Sequence, residues 1–421
     1  MTEFGQRERG GQRSDVAAPG AGTGPVAGPD LEIRIIETGE RLLAGLSRAL
    51  ESVPDARVGP QALARRLGLD KVLASRVLKT VKSGDPLAAI HRAPGPDPLR
   101  RVVRAMVKAG VDTSATDEAV SAIDGFERLI RDDVGDRSSL DAIVAAWVPE
   151  ARKEFELRRK QSAFKALSQL KGTQADTLMA SVFLHPAADG TSLDVVWING
   201  LFGLHRLRPG AAVRFATRRI AELHPERAPC TLDGQRVQSQ AELMLTEFCS
   251  TPTPGLEVHE IGESVIYTLQ DNGFGPRSAS NVVFAEANRG EVARFARPGV
   301  NRKTFVFAEV STPSKVLQFD AFVHEDLFSG SDPSLRLYDT SFEGVADLND
   351  PSRELDRLDM MESVESLGMG LSRCRSSDIG SYGEILRRVC ETLDWSSGTF
   401  RGYRCRVDYP LYGTQVAMAW D

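Results

Sequence analysis

The sequence predicts an α+β protein: an N-terminal all-α module, a helical connector, and a C-terminal mixed α+β domain with antiparallel sheet. Three observations carry this. Apolar residues recur at helical spacing from Leu31 to Gly172. After Asp176 the texture changes to short strand-like runs separated by turn residues. A chain of 421 residues, 41% hydrophobic and 26% charged, is long enough to bury more than one core.

Residues 1–30 are rich in Gly, Pro and Ala and bury too little apolar surface to offset ordering entropy, so a disordered tail is expected. Leu31–Glu51 reads as a helix with Ile33, Ile36, Leu43, Leu46 and Leu50 on one stripe, ended by Pro54. Two short helices and a Pro-Gly loop follow. Asp97 with Pro98 then opens a helix that Gly110 stops, so the first module spans 31–110. Residues 111–176 are expected to be a helical connector: an acidic helical segment, a helix opened by Ser138 and Asp141, and a basic helix from Pro149 to Gly172. That last helix is either a dimerising connector or the first helix of the next domain. Beyond it, 177–421 is expected to be one ligand-sensing or assembly domain. Met179–Leu184 and Ser192–Ile198 flank an Ala-Ala-Asp-Gly turn, and a helix is expected over Tyr382–Leu393. Asp320–Glu362 reads as an acidic, loop-rich surface.

Composition excludes a collagen-like, disulfide-stapled or wholly disordered chain. No stretch approaches the ~20 apolar residues of a membrane helix. Five widely spaced Cys without a CxxC suit a reducing cytoplasm. Charge is uneven. Arg57 to Lys108 holds twelve basic residues against Asp70, Asp85 and Asp97, a segment of +9 (12 − 3) in a chain of −6. Everything else sums to −15 (−6 − 9). A compact basic module on an acidic protein is the footprint of a polyanion binder, although an Arg-rich helical surface has the same composition.

Within that segment, residues 61–82 read QALARRLGLDKVLASRVLKTVK. A helix-turn-helix unit needs a small residue where its helices cross, here Ala64. It also needs a residue tolerant of positive φ in the turn, here Gly68. Leu63, Leu67, Leu69, Ala74, Val77, Leu78 and Val81 line the inner faces, and Asp70 is placed to cap the second helix. Lys71, Val72, Ser75, Arg76, Lys79 and Lys82 are left outward, a basic face suited to the major groove. The segment resembles the helix-turn-helix of bacterial transcription regulators, of lac-repressor and winged-helix types. Ala64, Gly68, Leu69, Ser75, Arg76, Val77 and Leu78 fall where those families place matching residues; Ala74 departs, where Val or Ile is usual. The resemblance covers about twenty residues closely and implies binding of double-stranded DNA.

Arg65 and Arg66 extend the candidate surface. Leu87–Arg92 with Pro94-Gly95-Pro96 is open to two readings: a short β-hairpin wing with Arg92 at its tip, or a plain loop. Arg100 and Arg104, on the following helix, are expected to meet phosphates. A homodimer is expected because one such helix reads few base pairs, with a small-molecule or protein effector acting on the C-terminal domain. The alternatives are a protein-interaction scaffold and an enzyme with dispersed chemistry.

No enzyme motif is legible: GxxxxGK[ST], HExxH and GxSxG are absent. No cofactor, metal or catalytic residue is expected. Four groupings hold residue types that chemistry uses. Gly20, Gly22 and Gly24 follow no strand. His324 and Asp326 would share one strand face. Cys374 between Arg373 and Arg375 would have a lowered thiolate pKa if those charges faced it. His205, Arg206 and Arg208 follow an apolar run and would suit an anion, or simply a strand end re-entering solvent.

Overall fold

The computed structural model describes residues 29–53, 59–219, 230–237, 239–261, 264–270, 273–294, 303–328 and 331–420. Nearly all of the expected N-terminal tail, and Arg57 and Pro54, lie outside the described residues. The chain is mixed α+β and divides into two compact units, 1–151 and 152–421.

Every regular element among the first unit's described residues is helical. It comprises α1 (Pro29–Glu51), α2 (Pro60–Leu67), α3 (Lys71–Val81), α4 (Pro86–Arg92), α5 (Pro96–Lys108), α6 (Thr113–Arg128), a π-helical turn at Leu129–Val134, and α7 (Arg137–Ala145). One core joins them, from Ile35, Leu42 and Leu46 of α1 through Ala119, Ile123 and Phe126 of α6 to Leu140 and Val144 of α7. The boundary expected at 110 is therefore corrected. The segment expected as a connector supplies α6 and α7 to this core, because their apolar stripes bury against the other helices of the unit. The buried face of α1 also differs from the expected stripe: Ile33 is exposed, and the face runs through Ile35, Gly39, Leu42, Leu46 and Ala49. Gly39 sets it, since a Cβ there would meet the Pro86 carbonyl oxygen at 2.4 Å. Asp136, rather than Ser138, caps α7 by accepting from the Ser139 N–H at 2.9 Å. Gly95 precedes the first residue of α5, leaving Asp97 in its first turn.

Among its described residues the second unit contains nearly all of α8 (Pro149–Lys171), thirteen strands, and α9 (Tyr382–Leu393) before the last two of them. The central sheet has six strands: β1 (Thr173–Pro186), β2 (Ser192–Arg206), β6 (Ser280–Ala293), β8 (Ser314–His324), β11 (Glu365–Met369) and β12 (Phe400–Asp408), in the order β11-β12-β8-β1-β2-β6. Only β1 and β8 pair in parallel. A four-stranded antiparallel sheet orders β10 (Arg357–Leu358), β9 (Ser334–Asp339), β13 (Thr414–Trp420) and β7 (Thr304–Glu309). A third sheet orders β3 (Val213–Arg219), β5 (Ser264–Leu269) and β4 (Leu256–Ile261). Alternation along β1 sorts the two faces of the central sheet. Met179 and Phe183 pack with Ile385, Leu386 and Val389 of α9, while Ala180, Val182 and Leu184 pack with Val416, Met418 and Trp420 of the four-stranded sheet. Asp320–Glu362, expected to be loop-rich, also contributes β9 and β10.

Candidate nucleic-acid interface

The geometry between α2 and α3 follows from a few residues. Gly68 sits at φ 62°, ψ 35°, the left-handed conformation that ends a helix and that residues with a Cβ adopt at a cost. Its N–H bonds the Ala64 carbonyl, as does that of Leu69 at 2.8 Å, so the orphan acceptor of α2 is satisfied twice. Asp70 then caps α3, its carboxylate accepting from the N–H of Val72 at 2.7 Å and of Leu73 at 3.2 Å. Leu63, Ala64, Leu67, Leu73, Ala74, Val77 and Leu78 are buried in the shared core, with half-buried Leu69 against it. Gly68 thus has a left-handed backbone, and Ala64, Leu69 and Val77 pack in that core.

With that face inward, Lys71, Val72, Arg76, Lys79 and Lys82 are exposed and Ser75 is half-buried. Arg76 also donates to the Ala93 carbonyl at 3.2 Å, which brings the end of α4 carrying exposed Arg92 beside α3. Arg137 holds the same end of α4 from α7, donating to the carbonyls of Ile90 at 2.8 Å and His91 at 3.0 Å. Sequence reading missed Arg137, whose partners lie more than forty residues earlier.

The three acids of the segment are all engaged elsewhere. Asp70 caps α3, Asp85 caps α4 by accepting from the Ala88 N–H at 2.6 Å, and Asp97 faces Arg100 at 3.5 Å. Among the described residues, Arg65, Arg66, Lys71, Arg76, Lys79, Lys82, Arg92, Arg101, Arg104 and Lys108 make no ion pair. By contrast, Arg41, Arg131 and Arg137 of the same unit each face a carboxylate, as do Arg34 (Asp133) and Arg48 (Glu118). Pairing is the habit of this surface, and the basic segment is the exception.

Two expectations are corrected here. Pro86–Arg92 forms a helix, neither a wing nor a plain loop: Asp85 caps it and Pro86 supplies a preset φ at its first position. Arg100 is withdrawn from solvent chemistry. Its guanidinium bonds Asp124 at 2.7 Å and also bonds Glu127, both on α6. These hydrogen bonds, that of Glu127 foremost, raise the Arg100 pKa and hold the Glu127 carboxyl below its usual range. Arg104 remains exposed.

In the second unit Arg206, Arg208, His205 and Cys374 are held by the fold, while the His324 ring lies 3.6 Å from the Asp326 carboxylate. Arg206 is buried, and its guanidinium donates to the carbonyls of Ala211 at 2.8 Å, Leu269 at 2.7 Å and Gln270 at 3.0 Å, so it ties three segments together. Arg208 donates to the Leu170 carbonyl at 3.3 Å. His205 Nδ1 lies 3.0 Å from the Gly203 carbonyl oxygen, and its Nε2 lies 3.1 Å from Gln174 Nε2. His324 Nδ1 accepts from the Asp326 N–H at 3.3 Å, and the ring packs edge-on against His185 at 4.7 Å. Cys374 is buried rather than activated: desolvation pushes its thiol up to about 11. The Gly20–Gly24 stretch lies outside the described residues.

A polar cluster absent from the sequence reading lies under α9. The fully buried Asp320 carboxylate accepts from Arg404 Nε at 2.9 Å and Nη2 at 2.7 Å, and from the Tyr382 hydroxyl. Gln318 donates to it at 3.2 Å, and Ser181 and Tyr382 hydroxyls lie 2.9 Å apart. Burial, then the Asp320 charge, raises the Tyr382 hydroxyl well above its usual range. Each member is satisfied and enclosed, which is how a polar group in a core avoids its desolvation cost. Outside α9 a groove of about 720 Å³ runs past Leu371, Cys374, Leu386, Cys390 and Trp395. Among the described residues no cluster of three or more His, Cys, Asp or Glu would hold a metal ion, and no helix is long and apolar enough to cross a membrane.

Comparison of the chain with protein-family models, with curated proteins and with solved structures found no match.

Proposed function

We propose that the protein is a sequence-specific, duplex-DNA-binding regulator whose α2–α3 pair acts as a helix-turn-helix. One observation carries the reading: among the described residues, ten cations on α2–α5 and the residue after α3 make no ion pair, while the acids beside them are used as caps and in the Arg100 clamp. Uncompensated like charges repel within a Debye length of about 8 Å, which opposes folding. A polyanion that exchanges its condensed counterions for Lys and Arg reverses that cost. The outward face of α3 adds hydrogen-bonding groups on a rigid helix, the form that fits a major groove. Lys71, Ser75 and Lys79 are the base-edge candidates. Arg76 divides its role, since its guanidinium also holds α4.

In this reading the protein acts as a cytoplasmic homodimer, because one recognition helix covers few base pairs and two half-sites supply useful affinity. None of the cysteines forms a disulfide, in keeping with a reducing compartment. The second unit serves as the effector domain, with the α9 groove available to a small molecule. The test is selection of preferred duplexes from a random pool, then titration of Lys71→Gln/Lys79→Gln against them. Loss of discrimination in the variant supports the reading. An unenriched pool, or equal preferences in variant and wild type, removes α3 as a reader.

A further inference from the structure

The face of α5 opposite its core carries a second basic feature. Leu99, Val102, Val103 and Met106 are buried, and Arg100 turns toward α6 and its acids. Arg101, Arg104 and Lys108 remain exposed and make no ion pair among the described residues. At 100° per residue these three fall within about 60° of arc, a straight stripe along the helix. From Arg101 to Lys108 the stripe is about 10 Å long at 1.5 Å per residue. One strand of B-DNA presents a phosphate every ~3.4 Å of axis, so a stripe of that length faces at most about three phosphates of one strand. Asp97, exposed one turn before Arg101 on the same side and 3.5 Å from Arg100, is the one carboxylate of α5 in line with the stripe; from Arg101 to Lys108 the other exposed residue is Val107, and no amide side chain lies among them. Three evenly spread cations with no amide among them suit a run of phosphates.

Arg100 shows that the arrangement is specific. It is adjacent in sequence to Arg101, yet it is clamped by Asp97, Asp124 and Glu127 while its neighbour makes no ion pair among the described residues. Helix α2 packs against both α3 and α5, and its last turn carries exposed Arg65 and Arg66. The stripe therefore belongs to the same group of packed helices as the α3 face.

We infer that Arg101, Arg104 and Lys108 form a second, sequence-independent contact that follows one DNA strand beside the α3 site. This rests on the DNA-binding reading above. The experiment titrates the full-length wild type, the triple variant Arg101→Gln/Arg104→Gln/Lys108→Gln, and Arg100→Gln against one fixed duplex at several salt concentrations. Selection from a random pool is repeated for the triple variant. Wild type should bind with a steep dependence of log affinity on log salt. The triple variant should lose up to about 2.7 from that slope, ~0.9 per phosphate contact, and keep the same preferred sequence. Arg100→Gln should leave the slope unchanged. The single variants Arg101→Gln, Arg104→Gln and Lys108→Gln, each expected to lose about 0.9, decide the matter should the triple variant fold poorly. A triple variant or single variants with the wild-type slope overturn the inference and leave the α3 reading standing. An altered preferred sequence overturns it too, by placing α5 in a groove. Preference for single-stranded RNA over the duplex overturns the choice of partner. Wild type that binds no DNA at low salt defeats the underlying reading instead.

Discussion

Gly68 offers the cleanest perturbation of the candidate interface. Its backbone is left-handed, at φ 62° and ψ 35°, and nothing lies within 4 Å of where a Cβ would stand. A substitution there meets no steric obstacle, so its cost is the conformational one alone. An L-residue in this region costs about 1–2 kcal/mol. Replacing glycine also narrows the unfolded ensemble, which returns about 0.4–1 kcal/mol. Gly68→Ala should therefore destabilise by roughly 1 kcal/mol. Gly68→Asn should cost only a few tenths, since Asn tolerates the left-handed region, and Gly68→Val should cost about 2 kcal/mol because a branched Cβ tolerates it least. For a unit of this size 1 kcal/mol moves the melting temperature by roughly 3–5 °C. Thermal melts of the full chain, followed by the far-ultraviolet helical signal, should rank the variants Asn, Ala, Val from most to least stable. Equal melting temperatures for Asn and Val would refute the left-handed turn, and with it the local geometry that sets α3 against α2.

The Arg100 clamp has a pH signature. Arg100 holds the Glu127 carboxyl below its usual range, so this interaction stabilises the fold above the unfolded carboxyl pKa and is lost as pH falls through the lower folded value. Arg100→Ala should be less stable than wild type at neutral pH, with the difference closing below about pH 4 in urea titrations across pH; a constant gap would contradict the assignment. Cys374, whose thiol burial raises to about 11, should resist iodoacetamide in the native protein at pH 8 and react after denaturation. At that pH only about one part in a thousand is thiolate even before access is considered, and rapid native labelling read by peptide mass mapping would contradict its burial.

The parts of the fold legible in the sequence are those set by near neighbours. Gly68 and Asp70 mark the end of one helix and the start of the next within three residues, and the Ala187–Gly190 turn joins β1 to β2. Tyr382–Leu393 is helical over the expected range. What escaped depends on distant partners. The acids that claim Arg100 lie 24 and 27 residues later, and the apolar stripe of α6 does not reveal which core it enters. The parallel pairing of β1 with β8 joins residues such as Leu178 and Leu317, which no local pattern connects. Short strands with mixed exposure, such as β11 over Glu365–Met369, lack a clean two-residue alternation. Pro86–Arg92 differs in kind: Asp85 followed by Pro86 is a local helix start signal, which neither the hairpin nor the loop reading uses.

The central claim is that the unpaired cations of α2–α5 answer to DNA. The most direct measurement is fluorescence anisotropy of a labelled duplex titrated with the full-length protein at several salt concentrations. The account predicts saturable binding at low salt and a log–log salt dependence whose slope corresponds to several phosphates, at ~0.9 per contact. Folded, full-length protein that fails to bind at low salt, or that binds with no salt dependence, would contradict it.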